Sequence, residues 1–350
     1  MKSPFILSLF VLVGTCATQK YTVKIQNLKD SIKLSDSTLV ISFANTITAK
    51  ELKTHLYKFS SKEFQGREVG EIGQKLASEF LKSYYQNQNI ISPFSDNNYY
   101  QIIPAKFLPE NTKSSENVLA FIEGSEKPNE IIIISAHLDH LGISEDGKIY
   151  QGADDDGSGT VALMEMAQAF KLAKNEGYGP KRSILFIHLT AEEIGKQGSD
   201  FYIKHPAFPL ENTLANLNID MIGRVDELHK KNKDYIYLIG SDRLSKELHY
   251  LSEKVNNTYF NINLDYRFNA ENDSNHYYSR SDQYNFALQG IPVIFYFNGE
   301  HQDYHKTTDT PDKIDYPLLE KRTKLIFATA WQIANQEHSV TTDKNSELLN

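Results

Sequence analysis

Four isoleucines in succession, Ile131 to Ile134, are too apolar for an exposed strand and too few for a helix. They predict a strand buried on both faces of its sheet. Comparable patterns predict strands over 117–124, 181–190, 214–220, 235–239 and 291–297. Elsewhere the apolar spacing is helical. Leu52, Leu56 and Phe59 follow a Thr48-Ala-Lys-Glu51 capping box. A second helix, 71–85, carries Leu76, Phe80, Leu81 and Tyr84 on one side. A third opens behind Asp156 as N-cap, with Val161, Leu163, Met164, Met166, Ala167 and Phe170. Further helices are expected up to about Lys204, over 244–255, in a short stretch 281–288, and over 318–334. The polar turn that leads into the isoleucine strand predicts a hairpin with the strand before it. Strand and helix alternate from 117 onward, which predicts an α/β fold, one domain over 46–336 with helices on both faces of its sheet.

The flanks read differently. Residues 18–45 are polar and β-branched, with Tyr21 to Ile25 and Leu39 to Phe43 as candidate short strands of an N-terminal leader, and 337–350 form a polar tail. Residues 269–280 form a polar loop without periodicity, long enough to suggest a functional role. In the turn 64–68, Arg67 and Glu68 either help to close a site or form a salt-linked turn. Residues 1–17 are a targeting segment: Lys2, then an apolar run from Phe5 to Val13 that is too short for a membrane helix. Cys16, the single cysteine, stands where a bacterial lipoprotein signal places its lipidated residue, although Thr15 departs from that signal. The other reading is ordinary secretion with cleavage after Ala17. Both predict export, either as a periplasmic or outer-membrane-anchored lipoprotein or as a secreted protein, and a mature chain with no disulfide.

Composition narrows the partners. A 350-residue chain that is 40% hydrophobic can build one large core or two modest ones. Lys+Arg 37 against Asp+Glu 45 gives a net charge of -8, and no long basic run appears, which excludes a nucleic-acid partner. No protein partner is predicted.

The candidate chemistry falls just after the predicted strands: His137 and Asp139, then Asp154, Asp155 and Asp156, then Glu192 and Glu193, then Asp220, and finally His305. In a parallel sheet these ends converge on one rim. Three consecutive carboxylates repel one another unless positive charge sits among them, and a divalent metal supplies that charge better than a helix dipole does. Imidazoles and carboxylates without thiolates suit zinc in a catalytic site. Counted for two metals sharing one carboxylate, His137, Asp220 and Asp155 serve one metal, and His305, Glu193 and Asp155 the other. Each keeps an open position for a shared water. Asp154 and Asp156 are expected to cap or hydrogen-bond. One of Glu192 and Glu193 binds metal while the other acts as general base. Asp139 orients His137. His140 and His188 are expected to pack or hydrogen-bond, and His276 and His301 flank the rim without a second ligand at useful spacing.

Five motifs in order, His137-Leu-Asp139, Gly152-Ala-Asp-Asp155-Asp-Gly-Ser-Gly159, Glu192-Glu193, Asp220-Met and His305-x-x-x-Asp309-Thr310, resemble those of the co-catalytic zinc aminopeptidases. These form family twenty-eight of the metallopeptidases, which includes bacterial leucyl aminopeptidases and aminopeptidase Y-like enzymes. The resemblance covers 117–334. It implies a single-domain α/β/α sandwich around a mixed, largely parallel sheet, and two zinc ions per chain. It implies peptides with a free N-terminus as substrates, Asp155 as bridging ligand, Glu192 as general base and Glu193 as ligand. It also implies a tyrosine that stabilises the oxyanion: Tyr304 directly before the last ligand histidine, or else Tyr278 before the Ser281-Asp282 pair. Gln283 departs from the histidine that relatives often carry there, which predicts an altered pocket wall. Phe286, Phe295 to Phe297 and the 269–280 loop are candidate pocket residues. The rival readings are a glutaminyl-peptide cyclotransferase with one zinc, a lid-domain carboxypeptidase or deacylase, and a non-catalytic binding protein. The intact glutamate pair, the absence of an inserted domain before His305 and the full ligand set speak against them in turn.

Overall fold

In the computed structural model, which describes residues 20–35 and 37–345, the isoleucine strand lies inside an eight-stranded sheet. The chain begins with helices α1 (20–31), α2 (Ser37–Ala44), α3 (Ala49–Phe59) and α4 (Ile72–Asn87). It continues through β1 (Tyr100–Ile103), β2 (Ser115–Ile122), β3 (Lys127–His137), α5 (Gly159–Asn175), β4 (Arg182–Leu189), α6 (Gln197–Lys204) and β5 (Thr213–Ile219). Then come β6 (Tyr235–Ile239), α7 (Lys246–Tyr259), β7 (Asn263–Asp265), α8 (Gln283–Leu288), β8 (Val293–Phe297) and α9 (Tyr316–Asn335).

The strand order is β1-β2-β4-β3-β5-β8-β6-β7. The central four, β4, β3, β5 and β8, are mutually parallel, while β2 and β6 join them antiparallel. Alternate isoleucines divide between two cores. Ile132 and Ile134 face α3, α5 and α9, whereas Ile131 and Ile133 face α6 and α8. All four are at most 1% exposed. Burial of such a side chain contributes about 1.5–3 kcal/mol each, which is why the run tolerates no polar position. Thr48 caps α3 as its spacing predicts, accepting from the Glu51 amide. Such a cap contributes about 1 kcal/mol.

Three expectations fail. First, β2 and β3 do not form a hairpin, because β4 lies between them and pairs with both. The connection crosses the start of β4, where the Ser125 and Lys127 amides donate to Pro180 and Lys181 carbonyls. Alternation along a strand reports which faces are buried and does not identify its neighbours. Second, 20–31 and Ser37–Ala44 are helices, not the short strands of a leader. Val40, Phe43 and Ala44 belong to the larger core, with Phe43 stacked on Trp331 at 5.5 Å, so packing overrides β-branched preference. Third, Leu76 is 39% exposed, and α4 packs through Ala77, Leu81, Tyr84 and Tyr85. The polar tail is docked as far as it is described. Val340 is buried, Thr341 donates to Glu247, and Lys246 donates to Asp343 at 2.7 Å. The expected targeting segment with Cys16 lies outside the described residues, among which no helix is long and apolar enough to cross a membrane.

Candidate metal centre

The parallel strands end in register. His137 of β3 stands opposite Leu189 of β4, and Ile219 of β5 opposite Tyr296 of β8. The residues just past those ends therefore meet on one rim, the usual ligand position of an open α/β sheet. The acidic triplet enters this rim from the turn before α5, and its carboxylates divide three ways. Asp156 accepts backbone N–H groups of His137, Gly159 and Met221 at 3.2, 2.9 and 3.0 Å, tying β3, α5 and the exit of β5 together. Asp154 accepts from the Gly223 amide at 2.7 Å and faces His301 at 3.1 Å. Only Asp155 turns to the rim. Its backbone is held by Asp309, whose carboxylate accepts the amides of Asp154 and Asp155 at 2.9 and 3.1 Å.

Asp155 is shared between two imidazoles, with Oδ1 3.2 Å from His137 Nε2 and Oδ2 3.1 Å from His305 Nε2. Asp220 Oδ1 lies 3.6 Å from His137 Nε2, and Glu193 Oε2 lies 3.2 Å from His305 Nε2. Two ligands bound to one tetrahedral zinc at 2.0–2.2 Å stand about 3.3–3.6 Å apart, and these separations of 3.1–3.6 Å lie at or 0.1–0.2 Å below that spacing, so a small outward shift admits a cation between each pair. The buried Asp155 Oδ2 has no hydrogen-bond donor, which fits the same use. His137, Asp155 and Asp220 can hold an ion, as can His140, Asp155 and Glu193. The electrostatics agree. Burial opposes charge on His137, yet Asp155 and Asp220 raise it well above the usual imidazole range. Burial likewise acts against His305, and Asp155 and Glu193 push it up to about 10. The cluster demands positive charge.

Behind this layer, the Asp139 carboxylate accepts the backbone N–H groups of both Glu192 and Glu193, at 3.2 and 3.4 Å. Its own carbonyl lies 3.2 Å from His137 Nδ1. Burial pushes the Asp139 carboxyl up to about 7. In the absence of a metal cation, burial raises Glu192 well above the carboxylate range, with Asp282, Asp220 and Glu193 adding and His137 opposing, and a cation at the rim would favour the ionised form. Asp220 is held from below by a buried polar chain. Ser281 donates to Asp220 at 2.7 Å, Asn218 donates to Ser281 and Gln283, and Ser135 donates to Asn218. Gln283 thus belongs to this support and not to a pocket wall. Arg67, 1% exposed, donates to carbonyls of Leu138, Phe59, Gln151 and Gly152, clamping both ends of the loop between His137 and Asp155. It forms no salt-linked turn.

A small cleft opens onto His137, Asp155, Glu192, Asp220 and His305, and its apolar lining is Met221, Tyr277, Phe295 and Phe297. Tyr304, Arg280 and Ser281 complete it. The Tyr304 ring stacks on His305 at 3.9 Å, and its hydroxyl accepts from Arg280 at 3.2 Å. Tyr278, the other expected oxyanion donor, does not line this cavity. Its ring lies under Arg243, 3.8 Å away, and packs on Gly240, while Tyr277 takes the place at the rim. Adjacent residues of a short 3-10 turn point in different directions, and sequence position alone does not say which of the two faces in. Phe286 is core, packed on Tyr202. His140 hydrogen-bonds as expected, with Nδ1 2.7 Å from Glu193, but the sequence did not name that partner. The only available signal was its place beside Asp139.

Fold and donor set define an α/β protein with an imidazole–carboxylate metal centre at the rim of its parallel strands. The chain belongs to peptidase family M28, whose pattern matches residues 117–330. Aminopeptidase YwaD of Bacillus subtilis is 26% identical over 244 residues, 66% of this chain and 48% of its own length. The chain spans less than two thirds of the length of the first curated relatives it matches. The LapA aminopeptidase of Legionella pneumophila superposes with a TM-score of 0.68 at 22% identity, covering 88% of this chain and 77% of that one. The glutaminyl cyclase of Bacteroides thetaiotaomicron superposes with a TM-score of 0.64 at 16% identity, covering 81% of this chain and 98% of that one. These two structural likenesses establish the fold.

Proposed function

We propose that this chain is a zinc-dependent aminopeptidase that holds two zinc ions and removes N-terminal residues from peptides. The observation that carries this reading is the division of Asp155 between His137–Asp220 and His305–Glu193, with Glu192 on the same cavity wall. Family membership and the aminopeptidase relatives support it. His137, Asp155 and Asp220 would hold one ion, and Asp155, Glu193 and His305 the other. Bound zinc supplies Lewis acidity for the water and the scissile carbonyl.

The chain's own residues then divide the work. Glu192 takes a proton from the attacking water and delivers it to the leaving amine, ending ionised as it began. Asp139 keeps the peptide groups of Glu192 and Glu193 and the ring of His137 in place. The Tyr304 hydroxyl donates to the developing oxyanion. The apolar wall of Met221, Tyr277, Phe295 and Phe297 receives the N-terminal side chain, and the acidic rim attracts a free ammonium group. Tyr304→Phe is expected to lower kcat by about 10²–10³-fold with little change in KM. Tyr278→Phe is expected to leave kcat unaltered, and steady-state kinetics on one peptide separate the two.

The test of the whole reading is the zinc content of the purified chain, together with amino-acid release from N-terminally free and N-acetylated peptides. Two zinc ions per chain and release from the free amine alone are the expected results. One zinc with cyclisation of N-terminal glutamine would instead identify a cyclotransferase, and neither metal nor turnover would leave a binding protein.

A further inference from the structure

The two oxygens of Glu193 have different partners. Oε2 lies 3.2 Å from His305 Nε2, while Oε1 lies 2.7 Å from His140 Nδ1. His140 is 1% exposed and fixed on three sides. Its amide donates to the Arg67 carbonyl at 3.1 Å. Its ring lies against Gly152, where a Cβ would come within 2.5 Å of Cδ2, so no larger residue fits at that position. Tyr150 closes the remaining edge at 6.4 Å between ring centroids. The ring is packed between Gly152 and Tyr150 with Nδ1 directed at the carboxylate, while its buried Nε2 has no hydrogen-bond partner.

His140, Asp155 and Glu193 are close enough together to surround an ion themselves, so His140 has two possible uses. The separation decides between them. A distance of 2.7 Å is that of an N–H···O hydrogen bond, and it is shorter than the spacing of about 3.3 Å that two ligands of one zinc keep. Asp155 Oδ2, at 3.8 Å, is too far to accept from Nδ1. We infer that His140 is a positioning residue. Through Nδ1–H it holds Oε1 of Glu193, so that Oε2 alone turns to the metal position shared with His305 and Asp155. A free carboxylate rotates between monodentate and bidentate poses. This one is held in a single pose, and its hydrogen-bonded oxygen is withdrawn from the metal.

The inference rests on the two-zinc reading, and one experiment separates failure of either. Zinc affinities of the full chain are measured by chelator competition for wild type, His140→Leu and His140→Asn. Leucine fills the site without a donor, whereas the Asn amide can place an N–H close to the position of Nδ1. His140→Leu is expected to bind one of its two ions about 10–100-fold more weakly with the other unchanged, and His140→Asn to recover most of the loss. Equal affinities in wild type and His140→Leu overturn the inference alone, and a wild type that binds no zinc overturns both. Should His140→Leu not fold, ¹⁵N NMR of the zinc-loaded wild type decides. A proton on His140 Nδ1 supports the donor role, and a bare, metal-bound Nδ1 refutes it.

Discussion

Glu192→Gln is expected to lower kcat by about 10²–10⁴-fold, the usual contribution of a general base, while zinc content stays at the wild-type value. This is about 3–5 kcal/mol of transition-state stabilisation. The substitution keeps the volume of the side chain and removes only its capacity to take a proton. The backbone at this position is held from elsewhere, by Asp139, so the glutamine inherits the same place. Neither candidate metal group includes Glu192, so loss of metal should not accompany loss of rate. Measuring kcat together with zinc stoichiometry distinguishes a base from a ligand: a base variant is slow and loaded, and a ligand variant is slow and depleted. A Glu192→Gln protein that turned over at the wild-type rate would remove Glu192 from the chemistry.

Much of the centre was legible because strand ends are legible. An apolar run such as Ile131–Ile134 must be covered on both faces, a sheet so covered is parallel at its centre, and parallel strands finish on one rim. His137, Glu193 and Asp220 each follow such a run, and the structure brings them together with Asp155 and His305. What could not be read depends on contacts across the chain. The insertion of β4 between β2 and β3 leaves no mark on either strand's own pattern. The helices from residue 20 to Ala44 exist because Phe43 and Val40 meet α5 and α9, an environment no local window contains. The choice of Tyr277 over Tyr278 is made by the twist of one short turn. The part played by His140 is set by a glycine twelve positions later, against which its ring rests.

The crowded triplet also makes Asp155 the proposed ligand whose loss is expected to cost most. Asp156 spends both oxygens on backbone amides, Asp154 divides its pair between the Gly223 amide and the His301 ring, and Asp309 pins the turn from behind, so only Asp155 is free to face both imidazoles of the rim. Asp155→Asn is therefore expected to lose both zinc ions, with activity at the background of the assay, whereas Asp220→Asn, which touches only the His137 side, loses one. The fold should persist in each, because the bonds that shape the turn come from the neighbours and an Asn keeps the amide held by Asp309. Thermal unfolding with and without added zinc checks this. Zinc at a hundredfold excess over its Kd stabilises a native site by about 2.7 kcal/mol, so wild type should melt higher on zinc addition. Asp155→Asn should melt at the same temperature with or without the metal, and Asp220→Asn should show a reduced shift. Retention of two tightly held ions by Asp155→Asn would mean that the two positions do not share a carboxylate, and each would then need its own third ligand.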